Sequence, residues 1–415
     1  MVCAACLLWA GACASPPLTY DDLKNDFPPE EMSGADAFDF LRERGLALGW
    51  NLGNTLDAYV GGIADEEAWG NPPASRALLD GIKAAGYDIV RIPVTWMGHI
   101  GPAPEYRLSP ERLRRVEEVL LMARDAGLAA VINLHHDGST PSATREDGWL
   151  SIKKSLANKA DYAEISAKFQ RVWQQLAVYF KNYGDWLIFE PFNELQDGGW
   201  GGSPEFVSDP RSQLAVINEW NQLFTDTVRG TGGNNALRFL LVPGYGSNFR
   251  LTLSNNFKIP RDSASGRQIV TFHYYEPYEF GILGDQAGGR HNWGTDADRQ
   301  KIIHDFSPFK EWYIDERIPV LLGECGAVLQ EYPRDPEKHE QARRARREYI
   351  ACIFGAARDY GLIPLCWDNG VAYGRDGEEK FGLFDRTTGQ PNSDESAFLI
   401  ATMIRTLKPD AAVQP

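Results

Sequence analysis

WLIFEPFNE, Trp186–Glu194, decides how the chain is read. Leu187, Ile188 and Phe189 form an apolar run directly after the turn residues Gly184 and Asp185, which is how a buried strand begins. The run ends in Asn193 and Glu194, a polar pair that a core would not accept unpaired. A second stretch, IPVLLGE (Ile318–Glu324), repeats the pattern and ends in Glu324. A buried strand that delivers a carboxylate at its C-terminal tip is the way a closed β/α barrel presents reactive groups.

Working outward, the chain alternates strand-like and helix-like segments from Ala35 onward. The strand candidates are Ala47–Leu52, Ile89–Pro93, Ala129–Leu134, Trp186–Phe192, Arg238–Val242, Ile269–Tyr274, Pro319–Gly323 and Ile363–Trp367. Helical periodicity falls at Ser75–Ala85, Pro110–Ala126, Tyr162–Asn182, Arg211–Val228, Asp296–Ile314, Glu337–Tyr360 and Ser393–Leu407. Ser247–Phe257, after the fifth strand, is poor helix material. Ser109-Pro110 reads as an N-cap followed by proline at the first helical position. Gly86, Gly127, Gly184 and Gly361 read as glycines just past a helix end. Alternation of this kind predicts a parallel sheet, and eight strands favour a single (β/α)8 barrel of the α/β class. The links Gly53–Pro73, Asp137–Ala160, Leu195–Pro210, Glu276–Gly294 and Asp368–Asn392 are long and all follow strands, so elaboration is expected on the C-terminal face.

The 415 residues accommodate one barrel and a leader. Residues 1–14 read as a signal peptide or lipoprotein leader that lacks the positive n-region, as if its start were truncated. Ala10-Gly11-Ala12-Cys13 resembles a lipoprotein cleavage box without its usual leucine. Membrane tethering through a lipidated Cys13 and plain secretion therefore both stand. Residues 15–34, with four prolines, read as a tether, and 35–410 as the barrel domain. The formal charge of −15 disfavours nucleic acid and suits a neutral substrate. Of six cysteines only three lie in the body, with no CxxC there, so neither a disulfide framework nor a zinc site is expected. No glycine-rich loop fits a P-loop or dinucleotide fingerprint. Adjacent residues on a strand point to opposite faces, so His135 and His136 are not expected to hold one ion. No cofactor and no metal are expected, and a monomer is.

Polar side chains recur at the strand tips: Arg91, His135 and His136, Asn193 and Glu194, His273 and Tyr275, Glu324, and Trp367. A lone histidine there is more often structural, and a lone tryptophan more often core; the joint occurrence at one end is what counts. Two carboxylates flanking a sugar bond are the minimum for glycoside hydrolysis, one protonated and one ionised. Two close negative charges raise one pKa, and a nearby cation holds the other down. Arg91 is the expected partner of Glu324, with Tyr275 as a second donor. Asn193 can reach a sugar 2-OH, His135 and His273 can position carboxylates and hydroxyls, and Trp367 offers a flat face to a pyranose.

With those residues in place, the chain resembles glycoside hydrolase family 5, the cellulase family, over nearly all of Phe38–Leu407. The carriers are LGWNLGNTLDA (Leu48–Ala58), AWGNP (Ala68–Pro72), VRIPVTW (Val90–Trp96), INLHHDG (Ile132–Gly138), FNE (Phe192–Glu194), HYYEPYEF (His273–Phe280), GECG (Gly323–Gly326) and WDNG (Trp367–Gly370). The resemblance implies Glu194 as general acid/base and Glu324 as nucleophile. It places the family's supporting set on Arg91, His135, Asn193, His273, Tyr275 and Trp367. The first two carriers and HYYEPYEF are most like subfamily 4, whose members cut inside β-1,4-glucans: cellulose derivatives, mixed-linkage glucan and xyloglucan. By the same resemblance Asn54, Trp69 and Asn71 would line the non-reducing-side subsites, with Trp200 and Trp293 stacking further along the cleft. For Trp200, in GGWGG, a loop anchor is an equal alternative.

The expectation is a retaining endo-β-1,4-glucanase, secreted or lipid-anchored at the outer surface, acting on a polysaccharide. Xyloglucan-specific and β-mannan-specific hydrolysis are the close alternatives. A surface glycan-binding protein without catalysis is the alternative from another class, opposed by the complete set of both glutamates, Arg91 and Tyr275. An aldolase-type barrel ranks last, since no lysine lies at a strand tip.

Overall fold

A computed structural model of the chain describes residues 25–138, 148–197, 199, 201–372 and 379–409. The leader at 1–14 and the first part of the tether lie outside the described residues.

Eight parallel strands close a barrel: β1 (Gly49–Asn51), β2 (Ile89–Ile92), β3 (Ala129–Ile132), β4 (Leu187–Phe189), β5 (Leu240–Asn248), β6 (Gln268–Tyr274), β7 (Val320–Cys325) and β8 (Ile363–Cys366). Each pairs with the next, and β8 pairs with β1 through Gly49–Leu365 and Trp50–Cys366. The helices are α1 (Ala37–Glu43), α2 (Arg76–Ala84), α3 (Pro110–Asp125), α4 (Ile152–Ala157), α5 (Lys159–Tyr179), α6 (Pro204–Ser208), α7 (Pro210–Gly230), α8 (Phe249–Thr252), α9 (Asp296–Phe309), α10 (Pro336–Tyr360) and α11 (Asp394–Leu407). The segment expected to be poor helix material carries only the four-residue α8. Ser109 caps α3 by accepting from the Arg112 N–H, with Pro110 inside the first turn.

Three differences from the sequence reading have physical causes. Helix α1 was not anticipated. Its Ala37, Phe40 and Leu41 seal the N-terminal end of the barrel against Ile89, Val131, Ile188, Leu241, Ile269, Leu321 and Leu365. The stretch read as a tether is fixed to that same end over its described part. Phe27 stacks on Tyr183 at 4.3 Å, and Glu30 accepts from the Trp186 indole at 2.6 Å and the Gly184 N–H at 2.7 Å. Gly184, read as a residue just past a helix end, lies beyond that position, because α5 stops at Tyr179. The free carbonyls there are taken by buried Arg238, which donates to Phe180, Tyr183, Gly184 and Leu187.

The barrel interior is layered by the two-residue period of its strands. Ile89, Val131 and Ile188 fill the apolar layer over α1. Two residues further along the same strand directions come Arg91, Asn133 and Glu190, all buried. The core gives way to a polar layer at one level, and the site stands on it.

Candidate active site

Arg91, fully buried, organises this layer. Its Nε donates to Glu190 Oε2 at 2.7 Å and its Nη1 to Glu324 Oε1 at 2.7 Å. Nη1 also donates to Asn51 Oδ1 at 3.0 Å, and Nη2 to Asn193 Oδ1 at 2.6 Å. Anchoring that oxygen turns the Asn193 NH2 away from the guanidinium, ready to donate elsewhere.

Glu324 reaches the interior through a β-bulge. Phe272 pairs with Leu322, but His273 pairs with Glu324, so Gly323 is an extra residue on β7. Without it the two-residue period would aim Glu324 outward; the bulge re-aims it. A side chain at Gly323 would meet Thr271 Oγ1 at 2.7 Å, which explains the glycine.

His273 joins the two carboxylates: its Nδ1 lies 2.6 Å from Glu194 Oε1 and 3.5 Å from Glu324 Oε2. One oxygen of each glutamate and a ring nitrogen of His273 all fall within 4.8 Å of one another. Burial raises the pKa of both carboxyls. On Glu194 the charge of Glu324 adds to the rise. Glu324 instead has Arg91 on Oε1 and the Tyr275 hydroxyl donating to Oε2 at 3.0 Å, and both hold it down. The pair therefore favours a proton on Glu194 over one on Glu324. Burial and Arg91 push His273 well below the usual histidine range, so it stays neutral. This is a pair of carboxyls with separated protonation states, the arrangement that supplies an acid and an anion together.

One wall is a run of rings. Trp367 and His135 lie parallel at 5.9 Å, His135 meets His136 edge-on at 4.5 Å, and His136 faces Trp69 at 5.3 Å. Gly53 lets the Trp367 indole approach the first loop, where a Cβ would lie 2.7 Å from the ring. His135 is buried and neutral, its pKa lowered well below the usual value by burial. Trp69 is half-buried, with its indole N–H on the Tyr59 carbonyl at 2.9 Å.

His135 and His136 do not point to opposite faces as adjacent strand residues would: β3 ends at Ile132, so both lie beyond the strand and share a side. Asp57 joins them within 4.8 Å, as a second group of ligand-type atoms.

Arg91, His135, Asn193, Glu194, His273, Tyr275, Glu324 and Trp367 are thus brought together, with His136 and Trp69 continuing the wall. Asn71 is a brace, since its Nδ2 donates to the carbonyls of Asn54 and Asn369, both at 2.9 Å. Asn54 itself takes a left-handed turn, φ 55°, beside it. Trp293 is core, packed at 5.2 Å edge-on to Tyr349 and beside Phe280, which corrects its reading as a stacking platform. Trp200 lies outside the described residues. The sequence reading missed Glu190, Asn51 and Asn133, although all three stand inside stretches it quoted. The available signal was the period: each lies two residues past an interior strand position.

The family model for cellulase, glycosyl hydrolase family 5, matches residues 52–372. Endoglucanase A of Paenibacillus barcinonensis is 34% identical over 369 residues, covering 84% of this chain and 86% of its own. Among solved structures, a GH5-4 broad specificity endoglucanase from Bacteroides salanitronis superposes with a TM-score of 0.81 at 37% identity, covering 92% of this chain and 98% of the other. A Bacteroides ovatus GH5 xyloglucanase, in complex with a XXXG heptasaccharide, gives 0.78 at 29% identity, covering 92% and 80%.

Proposed function

The chain belongs to glycosyl hydrolase family 5, the cellulase family, and from that premise we propose that it is a retaining endo-β-1,4-glucanase acting on β-glucans. The observation that carries the reading is the close approach of Glu194 and Glu324, with carboxylate oxygens within 4.8 Å. Retaining glycosidases hold their carboxyls about 5–5.5 Å apart, and inverting ones roughly 6.5–9.5 Å, to admit a water.

In the first step an oxygen of Glu324 forms a bond to the anomeric carbon. The glycosidic C–O bond breaks, and the proton on Glu194 passes to the leaving oxygen. In the second step Glu194, now ionised, takes a proton from water. The water oxygen bonds to the anomeric carbon, and Glu324 departs as a carboxylate. Arg91 and Tyr275 stabilise the carboxylate before and after, Asn193 donates to the 2-OH, and Trp367 carries the ring. Trp69 and His136 extend the binding wall to further sugars.

The substrates named for the relatives, broad-specificity glucan and xyloglucan, are the two poles for this chain. Reducing-sugar release on carboxymethylcellulose, barley β-glucan, xyloglucan and glucomannan, run in parallel, ranks them. Glu194→Gln and Glu324→Gln should each cost several orders of magnitude. A product born as the α-anomer, seen by proton NMR, would overturn the retaining mechanism. We also place the enzyme outside the cytoplasm, as a monomer on a polymer substrate. The apolar leader supports the location, and fractionation of cells with and without Cys13→Ala tests secretion against lipid anchoring.

A further inference from the structure

One carboxylate in the polar layer has no part in the two steps above. Glu190 is fully buried, below the level of Glu194 and in the same stretch of chain. It pairs with Arg91 Nε at 2.7 Å, and Asn133 Nδ2 donates to the same oxygen at 2.9 Å. One guanidinium thus serves two buried carboxylates, Glu190 and Glu324.

The chemistry gives this pairing a use. When Glu324 bonds to the sugar it becomes an ester and loses its charge. If Glu324 were its sole counter-ion, Arg91 would then be an unpaired buried cation, and its desolvation cost would fall on the covalent intermediate. Glu190 exchanges no bond and no proton in either step. Building on the proposed roles of Glu194 and Glu324, we propose that Glu190 is a positioning residue and the standing counter-ion of Arg91. It keeps the guanidinium compensated and aimed while Glu324 alternates between carboxylate and ester. Its charge also favours the protonated form of Glu194.

The charged groups coupled to it are Arg91 on β2, Glu194 after β4 and Glu324 on β7. Beyond them His135 touches the Asn133 amide that Glu190 accepts from, His273 and Tyr275 contact the two other glutamates, and Glu379 acts on Glu194. The charge of Glu190 raises the pKa of both Glu194 and Glu324. Removing it lets both lose their protons at lower pH. The acid limb of the rate profile reports Glu324 and the basic limb Glu194. Both limbs should therefore move in the same, acid direction, which a purely structural contribution would not produce.

The test is Glu190→Gln in the full chain, with kcat/KM on barley β-glucan from pH 4 to 9 and an unfolding curve as control. The expected result is a loss of roughly 10²-fold with both limbs displaced downward by about half a pH unit or more. A wild-type rate, or a slower enzyme with unmoved limbs, overturns the proposal. Should the Gln variant not fold, Glu190→Asp is read for covalent labelling by 2,4-dinitrophenyl 2-deoxy-2-fluoro-β-cellobioside. Labelling at the wild-type rate overturns the proposal, and slowed labelling supports it. An inactive wild type would remove the glucanase reading and this proposal together; an active wild type with unmoved limbs removes this proposal alone.

Discussion

The hydroxyl of Tyr275 donates to Oε2 of Glu324 at 3.0 Å, on the oxygen that Arg91 does not hold. The two donors divide one carboxylate between them. Burial and the neighbouring glutamates push the phenol well above its usual range, so it remains a neutral donor at working pH. Tyr275→Phe keeps the ring and removes the bond. Glu324 then loses an interaction that lowers its pKa, so the acid limb of kcat/KM moves up while the basic limb stays. The rate should fall about 10–10²-fold, as for the loss of one hydrogen bond to a charged group. An unmoved acid limb would contradict the assignment of that limb to Glu324.

Asp137 sets a pH dependence of stability. It is fully buried, accepting from the Trp149 indole at 2.7 Å and the Trp96 N–H at 2.9 Å. Burial pushes its carboxyl up to about 6, from 3.8. A raised carboxyl means the folded chain keeps a proton that the unfolded chain has already released. Its contribution is complete below 3.8 and is lost as the pH rises to about 6. The difference is worth roughly 3 kcal/mol. Burial raises Asp185 in the same sense. The unfolding midpoint should rise as the pH falls from 7 to 5, and Asp137→Asn should flatten that slope. Equal slopes in the two proteins would remove Asp137 as the cause.

Gly81 reverses a helix rule. It lies inside α2, where glycine to alanine ordinarily stabilises by about 1 kcal/mol. Here a Cβ would sit 2.3 Å from the Gly389 carbonyl oxygen, so the helix approaches the final loop only without a side chain. Gly81→Ala should destabilise by about 1–3 kcal/mol, the cost of overpacking. Urea denaturation checks the sign, and a stabilised variant would refute the close approach.

Trp293 and Trp69 should separate cleanly. Trp293→Ala removes a core indole and should cost roughly 3–5 kcal/mol of stability, leaving the order of preferred glucans unchanged. Trp69→Ala should instead raise KM on long glucans with a small change in unfolding midpoint. A large KM change for Trp293→Ala, at preserved stability, would restore it to the cleft.

Much of the barrel was legible because strand burial leaves a local trace. Ile89, Ala129, Leu187, Ile269 and Val320 all sit in apolar runs that end at a polar residue, and the expected strands match the observed ones to within a few residues for most of the sheet. The weaker readings fell where a partner distant in sequence decides. Past the end of α5 the carbonyls of Phe180, Tyr183 and Gly184 turn to Arg238, and nothing near Asn182 announces that. Asn71 reads like a cleft residue until the Asn369 carbonyl is found against its amide. Trp293 looks like an exposed loop aromatic until Tyr349, on a helix far along the chain, packs against it.

By itself the sequence determined the alternation of strands and helices, the elaboration of one face of the barrel, and which tips carry Arg91, Glu194, His273, Tyr275 and Glu324. Those follow from periodicity and residue type, which are local. Only the tertiary structure decided how these groups act on one another. A bulge at Gly323 turns Glu324 inward, and one buried guanidinium is divided between Glu190 and Glu324. The resulting field favours the proton on Glu194 over Glu324. Charges settle their protonation through space, over a few ångströms, between residues that the chain keeps far apart.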